Sequence, residues 1–188
     1  PSLAANNLRE LLAEAKANPG KLSYGSNGVG TSFQMAAEAL KLHTGTNILH
    51  VPFKSSPDGL AALLRGDISM IVGAVGTTLP LVKTGKLKMI VTVNDTRAAA
   101  LPDLPTIKEQ VPAFTSPPYW TGVLGPAALP PAVLQKLNTE INKAMAAPEI
   151  RARVNEIAFT TVALTPEQFR ARIATEIAAS AKTAKAAG

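Results

Sequence analysis

A run of glycines and hydroxyl residues between positions 24 and 32 is the part of this sequence best suited to chemistry. The segment reads, in order, Tyr24-Gly25-Ser26-Asn27-Gly28-Val29-Gly30-Thr31-Ser32. It lies between a predicted strand and a predicted helix, where backbone N–H groups at a positive helix end suit a carboxylate or a phosphate. Ser26, Asn27, Thr31 and Ser32 add side-chain donors. A tight turn followed by a Thr or Ser helix cap explains the pattern equally well, so both interpretations stay open.

Two more loops are expected beside this one. They follow the next two predicted strands and cover residues 51–56 and 72–78. In an open parallel sheet, ligands bind beyond the carboxyl ends of the strands, so the three loops are expected to converge there. Lys54 is placed to balance an acidic ligand, although a single lysine is more often a solvated surface charge.

Signatures of catalysis and of metal binding are missing from the sequence. The glycines follow the order G-x-x-G-x-G, the reverse of the dinucleotide fingerprint, and no acidic residue follows at the distance that would hold a ribose. His43 and His50 have no metal-ligand spacing, and the 188 residues include no cysteine. We therefore predict no catalytic residue, no metal site and no cofactor, and a protein that is not an enzyme.

Composition and charge limit the kinds of molecule that the protein is expected to bind. Hydrophobic residues make up 46% of the chain and charged residues 17%, so a packed core is expected rather than disorder. The net charge of +6 is spread along the chain without a basic run, which argues against nucleic acid and for attraction of anions. No apolar run reaches the length of a membrane span, and no targeting segment opens the chain, so we expect a soluble protein that is processed or cut from a longer one.

The order of elements predicts an α/β fold. Short apolar strands alternate with amphipathic helices in the first half of the chain; the strands are expected at 22–25, 48–51, 68–72 and 89–93, and the helices at 7–17, 32–43, 57–65 and 77–82. This alternation predicts an open, doubly wound sheet of parallel strands.

The composition of the sequence changes after residue 101. Eight of the fifteen prolines lie between residues 101 and 131, which is typical of a path over the surface or between lobes. Beyond this stretch we expect short strands at 119–124 and 160–163, and helices at 131–146, 149–157 and 166–187.

The whole set of motifs resembles the extracytoplasmic solute receptors of tripartite tricarboxylate transporters, the Bug-type receptors. The segments that carry the resemblance are Asn18-Pro19-Gly20-Lys21-Leu22-Ser23-Tyr24, Gly28-Val29-Gly30-Thr31, His50-Val51-Pro52-Phe53-Lys54, Gly85-Lys86-Leu87-Lys88, Leu101-Pro102-Asp103-Leu104-Pro105-Thr106, and Trp120 with Gly122 before Pro126. The resemblance implies a periplasmic-binding-protein-like fold of type II. Residues 1–116 would form the α/β ligand-binding lobe, and residues 117–188 a crossing strand and C-terminal helices of a partial second lobe.

By the same resemblance, the chain is a receptor that captures a small organic carboxylate in the periplasm and works with membrane transporter subunits. The implied ligand-binding residues are Ser26, Asn27, Gly28, Gly30, Thr31, Lys54, Ser55, Gly73, Ala74 and Val75. The sequence departs from the family's common pattern at Gln34, where His is frequent, and at Phe53, where Tyr is frequent. Gly73-Ala74 replaces a frequent Asp-Ser pair, which makes an amino-acid ligand less favourable.

Two other functions are compatible with the pattern. An effector-sensing domain of a transcription regulator shares the two-lobed architecture, and a phosphate-handling enzyme would use the glycine-rich loop. About a hundred residues of the family's first lobe have no counterpart here, so we expect a receptor fragment that binds weakly alone and hides its apolar helix faces by self-association, such as a homodimer.

Overall fold

The computed structural model describes residues 3–98, 100–116 and 119–187, and it has helices packed on a small parallel sheet. The helices are α1 (Leu8–Ala17), α2 (Ser32–Thr44), α3 (Ser56–Arg65), α4 (Val75–Lys83), α5 (Ile107–Gln110), α6 (Pro131–Ala146), α7 (Pro148–Glu156) and α8 (Pro166–Ala187). The strands are β1 (Ser23–Ser26), β2 (Leu49–Pro52) and β3 (Met70–Ile71). The α/β fold class predicted from the sequence is confirmed.

The sheet has the strand order β2-β1-β3, and both pairs are parallel. Tyr24 and Gly25 are neighbours on the central strand, so their side-chain directions point to opposite faces. The Tyr24 hydroxyl bonds Glu38 of α2, whereas a Cβ on Gly25 would meet Ile68 and Phe53, and a Cβ on Gly59 of α3 would also meet Phe53. Helices α2 and α3 therefore cover opposite faces, as the doubly wound prediction requires.

The helices of the first half begin at polar caps. Asn7 caps α1, Thr31 caps α2 and Ser55 caps α3, each by accepting a hydrogen bond from a first-turn N–H group. Gly45 and Gly66 end α2 and α3 in the left-handed conformation, which glycine adopts without strain. Helix α4 differs, because Ala74 at its N-cap has no side chain that can accept a bond.

The core lies in the first two-thirds of the chain. Every described residue that is fully buried falls between Leu3 and Phe114. The larger cluster joins α1, α2 and the sheet, and Leu8, Tyr24 and Phe114 are among its least exposed members. A smaller cluster lies under α3 around Ala62, Leu63 and Ile68.

Three strand predictions are wrong. Residues 89–93 form no ladder, and their single pairing is an isolated parallel bridge from Thr92 to Thr106. Residues 119–124 and 160–163 are irregular, so the predicted crossing strand is not formed. A strand needs a neighbouring backbone to bond, and apolar residues alone do not supply one. Residues 121–124 are exposed, consistent with a segment that lacks such a neighbour.

The three C-terminal helices match their predictions closely. Helix α8 packs along α2, and Tyr119, in the segment before α6, stacks on Phe33 of α2 with ring centroids 4.9 Å apart. Large apolar side chains remain exposed, among them Val133, Leu137 and Ile177. The predicted lobe boundary at residue 117 falls outside the described residues, and self-association through these faces stays a prediction. No helix within the described ranges is long and apolar enough to cross a membrane.

Candidate functional site

Three strand ends and the starts of three helices meet at one edge of the sheet. Ser26 pairs with Pro52 and Gly25 with Ile71, so β1, β2 and β3 end side by side. Their loops lead directly into α2, α3 and α4. Each helix therefore turns its N-terminal end toward this edge, and the aligned peptide dipoles make the edge attractive to anions. The strand ends before the three loops therefore lie side by side, while a shared ligand site at the loops stays a prediction.

The glycine-rich loop is held by its own polar groups. Ser26 is 1% exposed, and its Oγ donates to the Gly28 carbonyl at 3.1 Å and accepts from the Gly28 N–H at 3.3 Å. Thr31 Oγ1 donates to the same carbonyl at 2.8 Å. The Gly30 N–H donates to Gln34 Oε1 at 2.6 Å. Both hydroxyls and one predicted anion donor are thus already engaged inside the loop.

Thr31 and Ser55 also act as helix caps, which was the alternative interpretation of the loop. Thr31 Oγ1 accepts from the Gln34 N–H at 3.4 Å. Ser55 Oγ accepts from the Asp58 N–H and donates to the Asp58 carboxylate at 2.7 Å. Both residues position the helix starts whether or not a ligand is bound.

Asn27 and Lys54 carry polar groups that do not cap a helix or bond within the loop. The Oδ1 atom of Asn27 is buried and receives no hydrogen bond from the part of the chain that the structure describes. A carboxamide can also turn over and present its donor. Lys54 is exposed, and no described residue forms a hydrogen bond or ion pair with it. The two loops that carry them are adjacent, since the Phe53 N–H bonds the Ser26 carbonyl at 2.9 Å.

Gly73, Ala74 and Val75 face a different space from the other predicted residues. They line a cavity of about 1370 Å³ between the sheet lobe and the C-terminal segment, whose walls include Tyr119, Ile157 and other apolar side chains. The remaining seven predicted site residues do not line it. The predicted site residues therefore lie on two neighbouring surfaces. One is the rim formed by loops 26–31 and 54–55, and the other is the cavity wall at residues 73–75.

A buried polar group beneath the glycine-rich loop was missed by the sequence reasoning, which assigned His50 only to the start of a strand. Tyr24 donates to Glu38 Oε1 at 2.6 Å, and Lys41 lies 2.8 Å from the other Glu38 oxygen. His50 stacks on the Tyr24 ring, with centroids 4.8 Å apart, and its Nε2 lies 2.7 Å from Ser26 Oγ. The parallel register placing His50 opposite Tyr24 was the signal that could have revealed this group.

The environment of this group shifts two pKa values. Burial, followed by the bond to Glu38, raises the pKa of Tyr24 well above its usual range. Burial lowers the pKa of His50, and Lys41 adds to that effect while Glu38 opposes it. Within the described ranges no three His, Cys, Asp or Glu residues lie together as a metal site would require.

Comparison with known proteins places the chain among transport receptors. A sequence profile described as "Tripartite tricarboxylate transporter family receptor" matches residues 1–188. The chain is 33% identical over 162 residues to the "UPF0065 protein in tcbD-tcbE intergenic region" of Pseudomonas sp. (strain P51), covering 85% of this chain and 48% of that protein. It is 29% identical over 178 residues to BugT of Bordetella pertussis, covering 94% of this chain and 54% of that protein.

The fold is shared with solved receptors. A structure described as R. palustris Rpa4515 with adipate superposes with a TM-score of 0.91 at 27% identity, covering all of this chain and 62% of that one. The chain spans about half the length of the curated relatives it matches.

Proposed function

We propose that this chain, which belongs to the tripartite tricarboxylate transporter receptor family, is the carboxylate-binding part of a periplasmic solute receptor. The observation that carries the proposal is the convergence of three helix N-terminal ends at the carboxyl edge of the sheet. The whole-chain family match favours a transport receptor over the regulator and the enzyme. The receptor would deliver its ligand to the membrane subunits of a transporter.

The ligand is proposed to be a small organic carboxylate held at loops 26–31 and 54–55. Support comes from the positive helix ends and from the Lys54 ammonium, which has no partner among the described residues. The buried Asn27 Oδ1 is an acceptor without a donor, so it would bind another group of the ligand and not the carboxylate. A ligand with a hydroxyl or a protonated oxygen would satisfy that atom. The similar Rpa4515 structure with adipate is consistent with a carboxylate ligand.

Gly73, Ala74 and Val75 are proposed to contact the body of the ligand rather than its carboxylate. Their loop opens on the mainly apolar cavity. An extended ligand could therefore place its charged end at the loop rim and its carbon chain toward this wall. Residues 1–116 would form the binding lobe, and residues 117–188, with the C-terminal helices, would belong to the other, partial lobe, which is the family's first.

A titration followed by NMR tests the proposal. Adipate, acetate and citrate are added separately to the 188-residue chain, and shifts are expected first in the amides of residues 26–31 and 54–55. Binding should be weak, because a half-enclosed site lacks the contacts of the opposing lobe. Lys54→Gln should weaken adipate binding roughly twofold to fivefold, the range of an exposed charge pair.

Lys86→Gln is the matched control. Lys86 is also exposed but follows the C-terminal end of α4, on the far side from the site. Equal losses in the two variants would show only a general charge effect. Shifts confined to residues outside the three loops would contradict the proposed site.

A further inference from the structure

The group beneath the glycine-rich loop suggests a role for His50 in ligand binding. We propose that His50, acting through Ser26, is a positioning residue that fixes the Gly28 peptide for an anionic ligand and makes affinity rise as pH falls. The inference rests on the proposed carboxylate site and deepens it. No contact between His50 and the ligand is required.

The proton of Ser26 Oγ has two acceptors within reach. One is the Gly28 carbonyl at 3.1 Å and the other is His50 Nε2 at 2.7 Å, and the tautomer of the ring decides between them. A protonated His50 ring carries a hydrogen on Nε2, so it donates to Ser26 Oγ and leaves the Ser26 proton for the Gly28 carbonyl. Protonation of His50 therefore fixes the Ser26 hydroxyl on Gly28.

The surroundings of His50 keep its ring in place. Its ring stacks on Tyr24 at an interplanar angle of 19°, and Tyr24 is itself fully buried and bonded to Glu38. The other charged group facing this pair is Lys41, which bonds Glu38. Glu38 and Lys41 are the charged groups that act on His50, and Tyr24 is the titratable ring stacked on it.

The sign of the pH effect follows from charge. Protonation of His50 ensures the Nε2–H bond to Ser26 and adds a positive charge one hydroxyl away from the loop. A bound anion favours the protonated ring, so the complex takes up more protons than the free chain and affinity rises as pH falls. The rise should appear below the ordinary histidine range of about 6.5, because burial lowers the pKa of His50.

Two substitutions at His50 separate positioning from charge. His50→Gln keeps an N–H donor without a titration, and His50→Leu removes both. Adipate affinity is measured by NMR titration from pH 8 to pH 5, and each value is compared with the unchanged chain at the same pH, which cancels protonation of adipate itself. His50→Gln should match the unchanged chain at pH 8 and fall roughly threefold to fivefold behind it by pH 5. His50→Leu should lose roughly twofold to tenfold at every pH.

Controls distinguish this idea from a simple loss of structure. The sequence has one other histidine, His43, whose Nδ1 lies 2.7 Å from the Ala39 carbonyl near the end of α2. His43→Gln should leave the pH profile unchanged. Hydrogen exchange at the Gly28 amide should accelerate in His50→Leu and not in His50→Gln.

A pH profile that is identical in His50→Gln and the unchanged chain would overturn the charge coupling. Unchanged Gly28 exchange in His50→Leu would overturn the positioning role, whether or not adipate binds. Absence of any carboxylate binding to the unchanged chain would instead refute the proposed function, while the Gly28 exchange would still decide the role of His50.

Discussion

Replacement of Thr31 by valine gives the sharpest test of how the glycine-rich loop is held. The Thr31 hydroxyl donates to the Gly28 carbonyl at 2.8 Å and accepts from the Gln34 N–H at 3.4 Å. Loss of a threonine cap typically costs about 1 kcal/mol, and loss of the second bond adds about 0.5–1 kcal/mol. Because Thr31 is half-buried, we expect a total of about 1–2 kcal/mol. For a chain of this length, that lowers the melting temperature by about 3–6 °C.

Urea unfolding followed by circular dichroism measures this directly. Thr31→Val should lower the midpoint without changing the slope, whereas Thr31→Ser, which keeps the hydroxyl, should stay close to the unchanged chain. Carboxylate affinity should fall together with stability in Thr31→Val and recover in Thr31→Ser. If Thr31→Val unfolds at the same urea concentration as the unchanged chain, the hydroxyl does not cap α2, and our account of the loop is wrong.

Two further predictions concern the core and an exposed ion pair. Gly25→Ala should destabilise the fold by about 1–3 kcal/mol in urea unfolding, because its Cβ would lie 2.7 Å from Ile68 Cδ1. Gly73→Ala has no atom within 4 Å and should change stability by less than about 0.5 kcal/mol, so equal effects would contradict the packing argument. The hydrogen bond from the Arg97 side chain, and after it the bond from the Thr106 backbone, lowers the pKa of Glu109 from 4.5 to about 2. The stability that Glu109 adds should be complete above pH 4.5 and lost as pH falls toward 2, so the unfolding difference between Glu109→Gln and the unchanged chain should shrink from pH 7 to pH 3.

Local patterns in the sequence were sufficient to predict most of the helices and the parallel sheet. Helices α1, α2 and α3 were predicted within one or two residues, since each has a polar cap, an apolar face and a clear stop signal. The parallel pairing also followed from the alternation of short apolar strands and helices. Strand formation at 89–93 was predicted wrongly, because Ile90, Val91 and Val93 pack on the core without a partner backbone along their length. The burial of apolar residues can be predicted from their own sequence. The pairing of a strand also requires a neighbouring strand, which a distant part of the chain must supply.

The sheet edge that carries the loops was predicted from the sequence, while the site residues on it stay a prediction. The edge of the sheet follows from topology, and so did the convergence of its loops. The roles of individual side chains did not follow, because the residues that cap helices are also those that bind carboxylates. His50 was overlooked for a related reason: a lone histidine on an edge strand has no motif around it. Its role depends on a register that brings it opposite Tyr24 and within reach of Ser26.

The polar groups at this edge of the sheet form two sets, those bonded within the glycine-rich loop and those without a partner among the described residues. Hydroxyls that satisfy the loop internally, at Ser26 and Thr31, fix the direction of peptide groups before any ligand arrives, which lowers the entropy that binding must overcome. In the proposed site, the groups without a partner are the ones that would meet the ligand, and here these are Lys54 and the amide of Asn27. A side chain beneath the loop, such as His50, would then tune the loop without contacting the ligand. Affinity would be set as much by the bonds under the loop as by the groups on its surface.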